Sequence, residues 1–131
     1  MEVTVSEQAK RFYLAFDKWQ PAVGHEIKVG KYRFCAIPLS SVLNISEVTS
    51  GAKVLNIPMT LEIMMVTVSK EDSIEYFKQV GQKLKQAIER AKDFDGHVSN
   101  MKQLAFERLG EMPPIEEFDD WIEGELNGVI N

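Results

Sequence analysis

The chain has 131 residues, 44% of them hydrophobic and 27% charged, with a formal net charge of −5. That length suits one domain able to bury a core without staples, and the composition excludes a chain disordered throughout. A single cysteine excludes an intrachain disulfide, and the longest unbroken apolar run, Phe12 to Phe16, is far short of a membrane span.

The charge is unevenly spread. Residues 1–110 carry all 15 lysines and arginines against 13 acids, a net of +2, whereas residues 111–131 carry seven acids and no base. Asymmetry of this kind bears on partners rather than on fold. Glu2, Glu7, Lys10, Arg11, Asp17 and Lys18 interrupt the first twenty residues, which therefore do not read as a signal peptide. With one cysteine, the expectation is a cytoplasmic protein.

Val3 and Val5 suggest a short edge strand. Ser6 is a suitable N-cap, and Ala9, Phe12, Tyr13, Phe16 and Trp19 then recur at helical spacing until Pro21 and Gly24. The spacing predicts an N-terminal helix with an aromatic core stripe. Period two follows. Ile27, Val29, Tyr32, Phe34 and Ala36 alternate with polar neighbours, Gly30 marks a bulge or tight turn, and Pro38 closes the stretch. Cys35 reads as a small buried hydrophobe, because no base beside it would activate a thiol.

Val42-Leu-Asn-Ile45 recurs as Val54-Leu-Asn-Ile57 around Ser50-Gly51, which predicts a hairpin. Leu and Ile should face one side, Val and Asn the other, with Glu47 and Lys53 paired across it. Met59 to Val68 is almost continuously apolar and reads as a central strand covered on both faces. Met64 and Met65 fit an adaptable binding surface as the second reading.

Ser69 and Asp72 open a helix that runs to about residue 92, with Ile74, Phe77, Leu84, Ile88 and Ala91 inward and Gly81 allowing close approach. Its acids gather at the start and its bases at the end, as the helix dipole favours. A shorter helix is expected over Asn100–Leu109, with Met101, Leu104, Ala105 and Leu109 inward and Gly110 as its stop. Pro113 and Pro114 then precede an acidic helix at about 114–127, striped with Ile115, Phe118, Ile122, Leu126 and Val129. Such a helix is marginal alone and must dock on its own body or on another chain. The expected fold is a single α+β domain over 1–131: an antiparallel sheet of three to four strands, an N-terminal helix and three C-terminal helices.

Reaction chemistry is hard to find. There is no phosphate-cradling glycine loop, no GxSxG elbow and no HExxH. Asp93-Phe-Asp95-Gly96-His97 opens like a calcium loop, but Val98 stands where its glycine belongs and Leu104 where its glutamate belongs. Cys35, His25 and His97 lack zinc-site spacing. No catalytic residue, metal or cofactor is assigned.

The expected function is a non-enzymatic protein–protein interaction module of adaptor, chaperone or inhibitor type. Glu116, Glu117, Asp119, Asp120, Trp121 and Glu123 would present an acidic helical surface to a basic protein partner or to a second copy. Two alternatives stand beside it. One is a small-molecule-binding domain or enzyme with a pocket between the sheet and the long helix, near Tyr32, Met64, Met65 and Phe77. The other is a single-stranded nucleic-acid binder using Lys28, Lys31 and Arg33 interleaved with Tyr32 and Phe34. A net charge of +2 over the body makes a poor phosphate footprint. No membrane contact is expected.

Overall fold

Alternation, not helical spacing, governs the first half of the chain. A computed structural model describes residues 1–117. Five strands come first: β1 (Val3–Ala15), β2 (Trp19–Val29), β3 (Tyr32–Pro38), β4 (Val42–Glu47) and β5 (Lys53–Pro58). Three helices follow, α1 (Leu61–Val66), α2 (Lys70–Arg90) and α3 (Phe94–Leu109), and then a two-residue strand, β6 (Glu116–Glu117). All strand pairs are antiparallel, in the order β5-β4-β3-β2-β1-β6.

This overturns the expected fold of three to four strands, an N-terminal helix and three C-terminal helices. The N-terminal helix is strand β1, paired with β2 from Val3↔Val29 to Ala15↔Trp19. Its helical stripe is a coincidence of spacing: Phe12 is buried on β1, Phe16 is exposed in the turn and Trp19 opens β2. Alternation continues through a register shift between Val5 and Ala9, so odd-numbered Val3 and Val5 pack on one side of the sheet and even-numbered Phe12 and Leu14 on the other. Leu14, which the helical stripe leaves out, is fully buried. Pro21 is tolerated in β2 because β3 pairs with that strand only from His25 onward.

The segment from Met59 to Val68 is not a central strand. Pro58 ends β5, Thr60 accepts a hydrogen bond from the Ile63 amide, and a short helix begins. At the C-terminal end, Glu116 and Glu117 pair with Arg11 and Lys10 as β6, so the helix expected at about 114–127 does not begin there. Residues 118–127 of that expectation lie outside the described residues, as do Phe118, Ile122, Leu126 and Val129.

Other expectations stand closer to the structure. β4 and β5 form the predicted hairpin, with Asn44 opposite Asn56 and with Leu43, Ile45, Leu55 and Ile57 sharing a face. Glu47 does not reach for Lys53. Its carboxylate accepts from the Thr49 and Ser50 amides and closes the turn instead. Ser69 caps α2 by accepting from the Asp72 amide, and Ile74, Phe77, Gly81, Leu84 and Ile88 are buried, joined by Val80. α3 starts earlier than expected, because Asp93 caps it by accepting from the Gly96 amide. Of its expected inward face, Ala105 is buried, Met101 and Leu109 are half-buried, and Leu104 is exposed.

The sheet buries both of its faces. On one, α2 lays Phe77, Val80, Leu84 and Ile88 over Ile27, Val29, Phe34, Ala36, Leu43 and Ile45. On the other, Phe12, Leu14, Cys35, Ile37 and Val48 form a second cluster, joined by Ala22 and Ile115. The second cluster exists because the sheet curls. The Ala15 amide at the end of β1 donates to the Gly51 carbonyl in the β4–β5 turn, at 2.8 Å. Gly51 has φ of 68°, and a Cβ there would meet the Tyr13 carbonyl and the Trp19 ring. Arg108 of α3 then holds the β1–β2 turn through the Phe16 and Ala15 carbonyls.

The tightest approach is at Gly24 of β2, where a Cβ would run into the Ala36 carbonyl and the Ile37 side chain. Gly24→Ala should therefore destabilise the chain by about 2–3 kcal/mol, although it removes a flexible residue. A denaturant midpoint unchanged from that of the native chain would contradict this packing.

Candidate functional site

The segment joining the sheet to α2 is the most exposed apolar stretch among the described residues. Leu61 is 73% exposed, Met65 66% and Val68 79%, and Met64 and Val66 are about half exposed. α1 has no buried residue at all. Six residues cannot hold a helix on propensity. What holds this one is local: the Thr60 cap, a Thr67 hydroxyl donating to the Ile63 carbonyl at 2.8 Å, and Ser73 donating to the Thr67 carbonyl at 3.3 Å. Only Ile63 and Thr67 turn partly inward.

Two depressions flank α1. The larger, about 530 Å³, lies between α1 and the start of α2, with Ile63, Met65, Val66 and Tyr76 as its apolar lining. Glu62, Asp72 and Glu75 stand around it, with no base among its lining residues. Glu75 shares its charge with Lys78 on the outer side of α2, at 3.2 Å. The smaller, about 240 Å³, lies between β5 and α2 and is lined by Leu55, Ile57, Val80 and Lys83. Ile63, Tyr76 and Gln79 line both, so the two form one continuous surface. Such a surface suits a peptide or a protein face: apolar and open, with acids around the larger depression and Lys83 at the smaller.

The expected site residues lie elsewhere. Glu116 and Glu117 are exposed on β6, and Glu116 sits 3.9 Å from Arg11. Asp119, Asp120, Trp121 and Glu123 lie outside the described residues. Among the nucleic-acid candidates, Lys28 is exposed. Lys31 is bound to Asp95 at 2.9 Å, and Tyr32 donates to the same carboxylate at 2.7 Å. That shared contact raises the Lys31 and Tyr32 values and lowers that of Asp95. The Tyr32 ring meets Phe94 edge-on at 4.7 Å, and Phe34 is buried. These rings belong to the core, and the cations are largely spoken for by carboxylates.

Arg33 belongs to a partly buried cluster with Lys10 and Glu26. Arg33 donates twice to the Glu26 carboxylate at 2.9 Å, and Lys10 once at 3.2 Å. Burial works to raise the Glu26 carboxyl, but the hydrogen bonds from Arg33 and Lys10 outweigh it and hold the value below the usual carboxylate range. The group is thus a structural ion cluster on strands β1, β2 and β3.

The pocket expected between the sheet and α2 near Tyr32, Met64, Met65 and Phe77 is not one site: Met65 lines the depression between α1 and α2, and Phe77 a separate one of about 150 Å³ beside Leu43 and Met59. The rest of the Phe77 ring is buried in the core, Met64 is on the outside of α1, and Tyr32 packs on α3. Cys35 is buried, and burial pushes its thiol up to about 12, which leaves it inert. Among the described residues, no three His, Cys, Asp or Glu side chains converge as a metal site. No helix among them is long and apolar enough to cross a membrane.

Another depression, about 420 Å³, lies between Trp19, Thr49 and α3. The Trp19 indole nitrogen is buried without a partner among the described residues. It is closed to solvent, so it offers a ligand nothing without rearrangement.

The signal for the α1 surface was in the sequence. Thr60 is a good cap, and Met64-Met65 suited an adaptable surface as well as a core. What was missing was any reason to prefer helix over strand for β-branched Ile63, Val66 and Val68. Comparison with protein families, with curated proteins and with solved structures finds no match.

The Glu26 cluster has a testable pH signature. Its carboxyl is depressed in the folded chain, so its contribution is present above the ordinary value near 4.5 and is lost as pH falls through the lower folded value. Glu26→Gln should cost about 1–2 kcal/mol at pH 7 and flatten the loss of stability below about pH 4.5. Denaturant titrations of both proteins from pH 7 to pH 3 measure it, and parallel curves would refute the assignment.

Proposed function

We propose that the chain is a non-enzymatic protein-interaction module that docks a basic protein partner on the surface of α1 and the start of α2. One observation carries this reading: α1 turns Leu61, Met64, Met65 and Val66 to solvent and buries none of its residues. Its own fold gains little from those side chains, so their use is external. Unbranched, polarisable methionines adapt to a partner's shape. The acids around the larger depression favour a partner that brings lysines or arginines.

A second copy docking through this same face would set Glu62 and Asp72 of one chain near those of the other, which costs energy. The acidic excess of residues 111–131 favours a basic partner as well. The contact surface nevertheless differs from the C-terminal one expected from composition.

The test separates folding from binding. Leu61→Ser, Met65→Ser and Val68→Ser together should leave the unfolding midpoint within about 0.5 kcal/mol of the native value, since surface changes of this kind are nearly neutral. A partner recovered from host extract on the full-length chain, then purified, should bind this triple variant at least about tenfold more weakly. Glu62→Lys with Asp72→Lys should slow its association and remove the salt dependence. A partner that binds the triple variant as tightly as the native chain would refute the proposal.

A further inference from the structure

We infer that the partner binds as an extended strand added to β5, with alternate side chains entering the depression between β5 and α2. The inference rests on the interaction reading above and specifies its mode. β5 is the last strand on its side of the sheet, and no other described strand pairs with its outer edge. Its outward amides and carbonyls form a ready template for another chain.

The edge is guarded at both ends. Lys53 begins it, Pro58 closes it, and the ladder with β4 is irregular between Ile45 and Ser46. These features deter indiscriminate pairing of whole strands. They leave open the centre, Val54 to Ile57, which is where the smaller depression begins.

Side-chain periodicity decides what fits. In a strand laid along β5, every second residue points to the face shared by Leu55 and Ile57. That face leads to Ile63, Tyr76 and Val80, so those positions of the added strand should be apolar. Glu62 and Asp72 stand just beyond, across Ile63 and Tyr76, so a base should lie at the end of the strand nearest α1. The occupant is therefore an extended segment of another protein, apolar at alternate positions and carrying lysine or arginine at one end. A second copy of β5 offers Lys53 only, and its own α1 would bring the same acids to the junction.

The experiment uses the full-length chain and a phage-displayed library of random twelve-residue peptides. Enriched peptides should alternate apolar and polar residues and carry a base. An enriched peptide is then synthesised in three forms: unmodified, and N-methylated on alternate amides in each of the two phases. Methyl groups facing β5 remove the added hydrogen bonds, whereas those facing away do not. One phase should weaken binding by about tenfold or more and the other should leave it nearly unchanged. The bound peptide should also slow hydrogen exchange at the outward amides of Val54–Ile57.

Equal effects of the two phases, or binding that protects α1 and α2 but not β5, would overturn strand addition and leave the interaction surface standing. Enrichment of no peptide would overturn both, whereas peptides that show the phase effect yet bind the Leu61→Ser/Met65→Ser/Val68→Ser variant as tightly as the native chain would overturn the α1 surface and leave strand addition standing.

Discussion

The packing of α2 on one face of the sheet is the constraint on which the other features depend. Phe77, Val80, Leu84 and Ile88 occupy that face from β2 to β4. Gly81 lets the helix approach closely, since a Cβ there would run into the Val3 side chain. With α2 on this ground, the residues just before it turn only Ile63 and Thr67 of α1 and its cap partly inward, beside the depression at β5. α1 is the result: a single turn or so of helix, held by threonine and serine hydroxyls, whose large side chains remain outside. An exposed patch of this sort is a consequence of the packing order and at the same time the chain's most evident means of contact.

The opposite face shows how an all-antiparallel sheet can enclose a second cluster without a second layer of helices. β1 and β2 are long, and the sheet curls until the Ala15 amide meets the Gly51 carbonyl. Phe12 and Leu14 are thereby brought over Cys35, Ile37 and Val48, and Ile115 packs against the same cluster. Curling also accounts for polar side chains that would otherwise be anomalous in a core. Asn44 and Ser46 are buried and hydrogen-bonded to one another, and Asn44 reaches Asn56 across the hairpin. Glu26 is buried with two cations in reach. Each of these groups has its partner, which is the condition for burying it at modest cost. The two edges of the sheet have different fates. β1 receives β6 over Lys10 and Arg11, while β5 keeps its outer edge beside the α1 surface.

Much of the middle of the chain was legible before any coordinates. α2 carries a serine cap, a 3.6-residue apolar period and charges ordered along its dipole, and these agree with one another. The β4–β5 hairpin was legible from the repeated Val-Leu-Asn-Ile and the glycine between the copies. Gly30 marked the β2–β3 turn, where its φ of 59° suits glycine. By contrast, the spacing of Ala9, Phe12, Tyr13, Phe16 and Trp19 matched a helix by accident, because those residues are divided between the two faces of β1, the turn after it and the start of β2. Nothing local distinguishes that pattern from a true amphipathic helix; the pairing with β2 does. The candidate site was half legible. Met64 and Met65 stand out as adaptable side chains in the sequence, but their exposure follows from where α2 and β5 come to rest.

By itself, then, the amino-acid order determined which segments would alternate, where α2 would begin and which apolar side chains it would bury, because caps, turns and periods act over a few residues. It also determined that bases would be lacking after residue 110. The tertiary structure alone decided that the N-terminal segment is a strand, that the sheet has six strands among the described residues and curls, and that the Met64-Met65 segment faces solvent. Those outcomes depend on pairing between distant residues and on competition for one limited apolar face, which no short window of sequence contains.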